Sequence, residues 1–440
     1  MSQKFATSRR DKTALVLAGG GLTGAVYEMG ALRAIDDLLV ELDTTQFDIY
    51  VGTSAGALVC SFLANGVSPA EMIRGIEGQH PYFRGPRPAE LFNLNLGEMW
   101  SRGRRLPLVA WRAMRYYLQH VRDTSPIDVL LSMDEVLPSG IYDNSTLGRY
   151  LHDTLIAAGG TDKFNELERE LYIIATDVDT GKRVVFSREN PEASISTTVA
   201  ASSAVPILYK PVRIGNKDYM DGGVRGTASL DVAIENGATL VVVVNPAVPL
   251  DNTQRSGIPF YISDNNRISH KGVSAISAQV YRTLFHASLT YHLKQVQRQH
   301  PEVTFILIEP SPTDTTMFFF NAMRYSARMT IAQHGYESVT VSLAKDYHRY
   351  KQALSRYGIT ISPRLVNEEL EFIAQAGGHP DAIRSVMERI ASQPRPVPAL
   401  THRLQETLNN LEAVLAEHHG NGSRPTVEPT GEELEARQRA

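Results

Sequence analysis

The sequence predicts an α/β fold of the doubly wound type: a mostly parallel central sheet with helices on both faces, followed by a helical C-terminal extension. Short apolar runs of strand length alternate with longer helical segments along most of the chain. The run from Thr239 to Val244 is β-branched and lacks polar alternation, which is typical of a buried parallel strand. The 440 residues, 42% of them hydrophobic, are enough to bury a large core.

The elements follow one another in the order that this fold requires. The chain opens with a strand at 13–18, a glycine-rich turn at 19–24, a helix at 25–39 and a strand that begins at Asp48. Further strands are predicted at 171–176, 182–186, 212–214, 218–220, 239–244 and 303–308, with helices at 194–201, 229–236, 273–298 and from Asn321 to about Tyr350.

This order suggests four regions. They are an N-terminal extension (1–12), an α/β domain (13–355) with a basic aromatic helical insertion (about 80–125), a helical C-terminal extension (356–418) and a polar tail expected to be disordered (419–440).

Charge and cysteine content exclude several classes of protein. A formal net charge of -4 gives no global attraction to nucleic acid, so no nucleic-acid partner is expected. The only cysteine, Cys60, rules out a disulfide within the chain. Neither a signal-peptide core nor an apolar run of about eighteen residues occurs, so we expect a cytoplasmic protein without a transmembrane helix, whose contact with a membrane would be peripheral. Nothing in the sequence predicts the oligomeric state.

The segment from Gly52 to Gly56 has the pattern G-x-S-x-G and joins a predicted strand to a predicted helix. In that context the turn is tight, and its central hydroxyl projects from the strand end at the positive end of the helix dipole. Gly52 and Gly56 let strand and helix approach closely. We therefore interpret Ser54 as a nucleophile; the alternative is an ordinary loop of small residues.

The turn after the first strand contains Gly19, Gly20 and Gly21 and also fits G-x-G-x-x-G. A dinucleotide site of that pattern needs an acidic residue at the end of the second strand, where this chain has Gly52-Thr53-Ser54. We therefore favour a second interpretation, an anion cradle of backbone N–H groups beside Ser54. A third interpretation is a plain turn without a binding function. No cluster has the spacing of metal ligands, so neither a metal nor another cofactor is predicted.

A nucleophilic serine needs a base, and none of the thirteen histidines stands in a distinctive motif. The strongest candidate is Asp221, which follows a predicted hairpin strand and precedes Gly222 and Gly223. The two glycines allow the backbone to turn sharply at the strand end. Aspartate before two glycines is also a common turn, so this pattern alone leaves both interpretations open.

The insertion contains a basic, aromatic helix. Leu108, Trp111, Met114, Leu118 and Val121 share one face, and arginines lie on an adjacent one. Such a helix either lies at a membrane interface or packs on the core with solvated arginines, which is commoner. We hypothesise that residues 100–122 form a cover that docks on a lipid interface near the Ser54 cleft. The residues expected to contact the interface are Arg104, Arg105, Trp111, Arg112 and Arg115.

The ordered motifs at 19–24, 52–56, 201–206 and 221–223 resemble those of the patatin-like phospholipase family, over about Thr13 to Pro246. The resemblance implies a catalytic dyad of Ser54 and Asp221 and an oxyanion hole from Gly19, Gly20 and Gly21. It also implies hydrolysis of lipid acyl esters, through an acyl-serine intermediate, at a membrane or lipid-aggregate surface. The family usually carries arginine or lysine where this chain has Thr23. The alternative is a non-catalytic lipid-binding or regulatory protein on the same fold.

Overall fold

The computed structural model describes residues 12–119, 137–253, 267–319 and 325–361. The strands are β1 (Lys12–Leu17), β2 (Leu39–Val40), β3 (Ile49–Thr53), β4 (Gly140–Tyr142), β5 (Glu170–Asp177), β6 (Arg183–Phe186), β7 (Ile207–Tyr209), β8 (Val212–Ile214), β9 (Lys217–Asp221), β10 (Ala238–Val244), β11 (Thr304–Ile308) and β12 (Thr360–Ile361).

The helices alternate with the strands. They are α1 (Gly21–Leu38), α2 (Ala55–Ala64), α3 (Pro69–Ile76), α4 (Pro88–Leu91), α5 (Leu96–Gly103), α6 (Leu106–Gln119), α7 (Ser145–Ala157), α8 (Ile195–Ser202), α9 (Leu230–Glu235), α10 (Gly272–Gln299), α11 (Thr315–Phe319), α12 (Tyr325–Lys345) and α13 (Tyr347–Ser355). Short 3-10 turns lie at Phe164–Glu166, Gly222–Val224 and Ile268–Lys271.

The central sheet has eight strands in the order β11-β10-β1-β3-β5-β9-β8, with β6 paired beside β5. The pairs from β11 to β5 are parallel, and β6, β8 and β9 add antiparallel pairs. Alternate residues of β1 enter two different cores: Leu15 and Leu17 belong to one, Ala14 and Val16 to the other. Because both faces of the sheet are covered there, its parallel strands β1, β3 and β10 are mostly apolar and buried. The predicted doubly wound fold is confirmed.

The observed elements differ from the predicted ones at several ends. Helix α1 begins at Gly21 instead of Ala25, so the glycine turn itself forms the first turn of the helix. The predicted helix ending near Tyr350 is two helices, α12 and α13, separated at Asp346. The N-terminal extension, except its last residue Lys12, and the predicted C-terminal helices and tail lie outside the described residues.

Helices α1 and α12 pack with their backbones in close contact. A Cβ atom on Gly30 would lie 1.8 Å from the carbonyl oxygen of Ala332, and one on Gly335 would lie 2.1 Å from that of Tyr27. Only residues without a side chain fit at these two positions, and the neighbouring Tyr336 is buried in the core. The close approach therefore joins the beginning of the domain to a helix some 300 residues later in the chain.

Among the described residues, no single helix is long and apolar enough to cross a membrane. Helices α2 and α3 pass that test only as a pair, which is bent by 120° at the break between them. Every residue of α2 is buried within the protein.

Glu28 on α1 is a carboxylic acid enclosed in the core. Its side chain has no exposed surface, and neither carboxyl oxygen has a hydrogen-bond partner. Burial raises the pKa of Glu28 well above its ordinary value, because the ionised form would be separated from water. The raised pKa means that the folded protein binds a proton here that the unfolded chain releases near the ordinary glutamate pKa.

We expect Glu28→Gln to stabilise the protein more at pH 8 than at pH 5. Because the pKa of Glu28 is raised in the folded state, the unmodified protein is most stable below the pKa that Glu28 has in the unfolded chain. Above that pKa its free energy of unfolding falls by about 1.4 kcal/mol per pH unit, until the folded-state pKa is reached. A glutamine side chain at this position does not titrate and escapes this loss. The measurement is urea unfolding of both proteins at each pH, with Glu192→Gln as an exposed control. An equal gain at both pH values would contradict the assignment of a neutral Glu28.

Candidate active site

The register of the central sheet aligns three strand ends. Leu17 of β1 pairs with Gly52 of β3 on one side and with Val244 of β10 on the other. Since these strands are parallel, the segments that leave their carboxyl ends emerge side by side. These segments are the glycine turn, the Ser54 elbow and the loop that contains Pro246.

The elbow has the strained backbone that its pattern predicts. Ser54 has φ 54° and ψ -118°, a conformation uncommon for a residue with a side chain. Its N–H donates to Oγ of Ser202 at 2.8 Å, and that hydroxyl donates to the carbonyl of Ile174 at 2.6 Å. A Cβ atom on Gly56 would lie 2.3 Å from the carbonyl oxygen of Leu17, so only glycine lets α2 begin this close to β1. The helix N-terminus therefore lies directly behind Ser54.

Asp221 ends β9 and reaches the elbow from the neighbouring part of the sheet. Its side chain interacts with the Ser54 hydroxyl in the cavity that both line, and its Oδ1 accepts the Gly223 N–H at 2.7 Å. The backbone N–H of Asp221 donates to the Ala204 carbonyl at 3.0 Å, and its carbonyl accepts the Thr176 hydroxyl at 3.1 Å. Ser54 and Asp221, which are 167 positions apart in the sequence, are thus in direct contact.

Burial raises the pKa of Asp221 to about 6, against the opposing effects of the Ser54 hydroxyl and the Gly223 N–H. The side chain is 4% exposed. At neutral pH the carboxylate is mostly ionised, yet it is a stronger base than an ordinary aspartate. It can therefore accept a proton from the hydroxyl that it contacts.

The glycine turn presents backbone N–H groups to the same site. Gly19 donates its N–H to the carbonyl and the hydroxyl of Thr227, at 3.3 and 3.1 Å, so this group is already occupied. Gly20 and Gly21 are the N-cap and first residue of α1, where N–H groups have no acceptor within the helix. Of the three glycines predicted for an oxyanion hole, Gly20 and Gly21 can donate to an anion, and Gly19 provides close contact with Ser54.

A cavity of about 260 Å³ joins these groups. Ser54, Asp221 and the three glycines line it. The rest of the wall is largely apolar and comes from Val205, Pro206, Val224, Ala247, Ala278, Tyr281 and Phe285. Two larger depressions, of about 1450 and 890 Å³, are lined by other residues and contain neither Ser54 nor Asp221. Of these three, the small cavity is the one that contains both Ser54 and Asp221.

Arg282 is the one charged residue of this wall besides Asp221, and the motifs did not reveal it. Its guanidinium donates to the carbonyls of Pro246, Val248 and Met317 at 3.4, 3.2 and 2.7 Å. Burial lowers its pKa to about 10. The Pro246 ring packs on the glycine turn, since a Cβ atom on Gly20 would lie 2.5 Å from its Cγ. Arg282 thereby fixes the loop that supports the N–H donors.

The basic insertion lies outside the cavity. No residue of α4, α5 or α6 lines it, so the predicted cover does not close over Ser54 in this structure. The four arginines of the predicted interface, Arg104, Arg105, Arg112 and Arg115, are exposed. The apolar face is exposed as well: Leu108, Trp111 and Met114 each have more than half of their surface free. Packing of this face on the core, the commoner alternative, is therefore wrong; Val121 and Arg122 lie outside the described residues.

The insertion borders the cavity indirectly. Leu94, before α5, forms a bridge with Tyr142 of β4, and β4 pairs in parallel with β7. The ring of Tyr142 packs on that of Tyr209, with 5.8 Å between centroids. Strand β7 begins directly after Pro206 of the cavity wall.

No group of three or more histidine, cysteine, aspartate or glutamate side chains could hold a metal ion within the part of the chain that the structure describes.

Comparison with known proteins gives the family. The sequence model of the patatin-like phospholipases matches residues 15–234, half of the chain. The chain is 23% identical over 228 residues to the "Probable lipid hydrolase 463L" of Invertebrate iridescent virus 6, covering 50% of this chain and 63% of the viral protein. It thus spans less than two thirds of that relative's length.

Two solved structures are similar in part. They are VipD from Legionella pneumophila, with 14% identity, a TM-score of 0.33 and coverage of 76% of this chain and 67% of VipD, and the human GIVD cytosolic phospholipase A2, with 11% identity, a TM-score of 0.29 and coverage of 78% and 61%. The match of the family model to half of the sequence, over the segment that carries the glycine turn, the elbow and Asp221, shows that the chain belongs to the patatin-like phospholipase family.

Proposed function

We propose that the protein hydrolyses carboxylic esters of lipids with Ser54 as nucleophile and Asp221 as general base. The observation that carries this proposal is the contact between the two side chains inside an apolar cavity. There the Ser54 hydroxyl lies beside a carboxylate whose pKa burial raises to about 6. The family assignment and the lipid-hydrolase name of a relative support the same class of reaction.

In the proposed first step, Ser54 Oγ attacks the ester carbonyl while its proton moves to Asp221. The negative charge on the former carbonyl oxygen is stabilised by the N–H groups of Gly20 and Gly21 and by the N-terminus of α2. Collapse of this intermediate breaks the ester bond, and the departing alcohol takes the proton from Asp221. The acyl group stays on Ser54. In the second step a water molecule attacks the acyl-serine and gives its proton to Asp221. The bond between the acyl carbon and Ser54 Oγ then breaks, Oγ takes that proton back from Asp221, and the acid is released.

The apolar walls favour an acyl chain as the part of the substrate that enters the cavity. Pro206, Val224, Tyr281 and Phe285 offer no hydrogen-bonding group to a charged headgroup except the Tyr281 hydroxyl. Lipid esters are mostly held in membranes or aggregates, so the substrate comes from such a surface. A non-catalytic lipid-binding protein would share the cavity but would not require the contact between Ser54 and Asp221.

Ser54→Ala should abolish ester hydrolysis and labelling by an alkylphosphonate probe, because it removes the nucleophile. Asp221→Asn should lower kcat by about 10² to 10⁴-fold, the usual effect of losing a general base. The assay is hydrolysis of a p-nitrophenyl ester by folded protein. Asp177→Asn is a matched control, since Asp177 is a buried aspartate at the end of β5, the strand next to β9. Near-normal turnover in Asp221→Asn would mean that another residue is the base.

The pH dependence should report Asp221 directly. Only the ionised carboxylate accepts a proton, so kcat/KM on a soluble ester should fall about tenfold per pH unit below a pKa of about 6. Circular dichroism over the same range separates this loss from unfolding. A limb at the ordinary aspartate pKa would contradict the proposed desolvation of the base.

We also propose that helices α5 and α6 contact the headgroup layer of an anionic lipid surface. Their exposed arginines are interleaved with Trp100 and Trp111, and the Arg115 guanidinium lies 5.6 Å from the Trp111 ring centroid. Cations near an anionic surface contribute about 1 kcal/mol each, and tryptophan suits the interface.

Changing Arg104, Arg105, Arg112 and Arg115 to Gln should weaken binding to anionic vesicles and hydrolysis of aggregated lipid but spare a short soluble ester. The control makes the same charge change at four exposed arginines elsewhere, Arg74, Arg149, Arg298 and Arg356. Unchanged vesicle binding, or an equal loss on both substrates, would argue for a structural role of these helices.

A further inference from the structure

The outward face of helix α10 carries no charged residue over five turns. From Gly272 to Leu293 the helix contains no aspartate, glutamate or lysine and only one arginine, Arg282. That arginine is turned inward onto backbone carbonyls. Five of its exposed residues are large and apolar, between 43% and 81% exposed, and are Val273, Ile276, Val280, Leu284 and Tyr291. The exposed polar residues among them, Ser274, Ser277, Thr283 and Ser288, are uncharged. A helix whose outer face meets only water normally places charged residues there.

The same helix forms a wall of the Ser54 cavity. Ala278, Tyr281 and Phe285 line the cavity, while Val280 and Leu284 lie beside them on the outer surface. Tyr281 belongs to both surfaces, since it lines the cavity and is 39% exposed. The apolar wall of the cavity therefore reaches the outside of α10 at Tyr281.

A second chain segment brings an apolar residue to the same opening. Val224 ends the turn that follows Asp221; it lines the cavity and is half exposed. The next residue, Arg225, is an exposed cation.

The third segment is strained. Ile207 follows Pro206 of the cavity wall and has φ 74°, a left-handed conformation that β-branched residues rarely adopt. It is 73% exposed. Pairing of Ile207 with Gly140 in the parallel β4–β7 ladder holds the segment in place. The fold thus maintains an unfavourable backbone while directing an apolar side chain into solvent, which is a feature of functional positions more than of structural ones.

We propose that these residues form a rim that inserts into a lipid surface around the mouth of the Ser54 cavity. The rim consists of Ile207, Val224, Val280, Tyr281 and Leu284. This inference rests on the proposed lipid-ester hydrolysis and names the surface through which the substrate arrives. With the rim below the headgroups, an acyl chain passes from the lipid to the apolar cavity wall without crossing water.

A lipid surface suits the rim better than a protein partner does. The rim is uncharged, continuous with the cavity that the substrate must enter, and flanked by Arg225, which can meet an anionic headgroup. A protein seated here would instead cover the opening. Strand β7 pairs with β4, and Tyr142 of β4 bridges Leu94 just before α5, so the rim is linked to the helices for which headgroup contacts are proposed.

Tryptophan fluorescence allows a direct test, because the chain has two tryptophans and neither lies in the rim: Trp100 is in α5 and Trp111 is in α6. In a Ser54→Ala protein that leaves the lipid intact, both are changed to Phe and a single tryptophan is introduced by Val280→Trp. We expect a blue shift of its emission on phosphatidylglycerol vesicles and quenching by lipids brominated on the acyl chain. Ile156→Trp, at an exposed site on α7, is the control and should show neither.

The second measurement uses the combined variant Ile207→Asn, Val280→Ser and Leu284→Ser, none of which lines the cavity. Vesicle partitioning should fall roughly tenfold or more, because three apolar side chains no longer enter the lipid. Hydrolysis of a short soluble ester should be unchanged. The matched control changes three exposed apolar residues elsewhere, Ile156, Val178 and Val341, to Ser and should bind vesicles normally.

The outcomes separate the rim from the proposed reaction. Unchanged partitioning of the rim variant, or a Val280→Trp emission that vesicles do not alter, overturns the rim. If sedimentation shows that the rim variant loses self-association while it keeps vesicle binding, the surface is an interface between copies of this chain and the rim is again overturned. Absence of ester hydrolysis by the unmodified protein would overturn the proposed function, whereas both binding measurements would still report on the rim.

Discussion

The left-handed backbone of Ser54 is the constraint on which the site depends. A serine does not adopt this conformation without support, and the support comes from two directions. Ser202, on α8, accepts the Ser54 N–H and passes the hydrogen bond on to β5. The first turn of α2 is pressed against β1 at a distance that only Gly56 allows. Sheet, elbow and α8 therefore fix one another, and the hydroxyl is held where Asp221 can reach it.

The electrostatics of the cavity follow from what surrounds Asp221. Its carboxylate accepts the Gly223 N–H and interacts with the Ser54 hydroxyl, and little water reaches it. A cation paired with it would hold its pKa low and weaken it as a base. The arginine of the same wall, Arg282, instead donates to three carbonyls of neighbouring loops. The fold thus uses a positive charge to position the loop beneath the glycine turn while leaving the carboxylate basic.

Sequence patterns identified the parts of the site that are local. The pairs of glycines around Ser54 and after Asp221 act within a few residues of each other, so a short window contains the whole signal. The hydrogen bond that already occupies the Gly19 N–H could not be predicted, because its acceptor, Thr227, lies 208 positions later in the sequence. Arg282 lies in no motif, and only its isolation in an otherwise uncharged helical stretch sets it apart. The periodicity of 108–121 predicted a one-sided helix, but periodicity does not say whether the apolar side meets the core or the solvent.

The close approach of α1 and α12 at Gly30 and Gly335 bears on what counts as a unit of this protein. The segment that matches the family ends at residue 234, yet β10 and β11 and helix α12 come afterwards. Strand β10 pairs with one whole edge of β1, and α12 covers α1 at backbone contact. A fragment cut at the end of sequence similarity would leave the central strand unpaired on one side and the first helix uncovered. The segment that matches the family is thus too short to bury its own core. Limited proteolysis should therefore leave a stable fragment whose C-terminal end lies beyond α12.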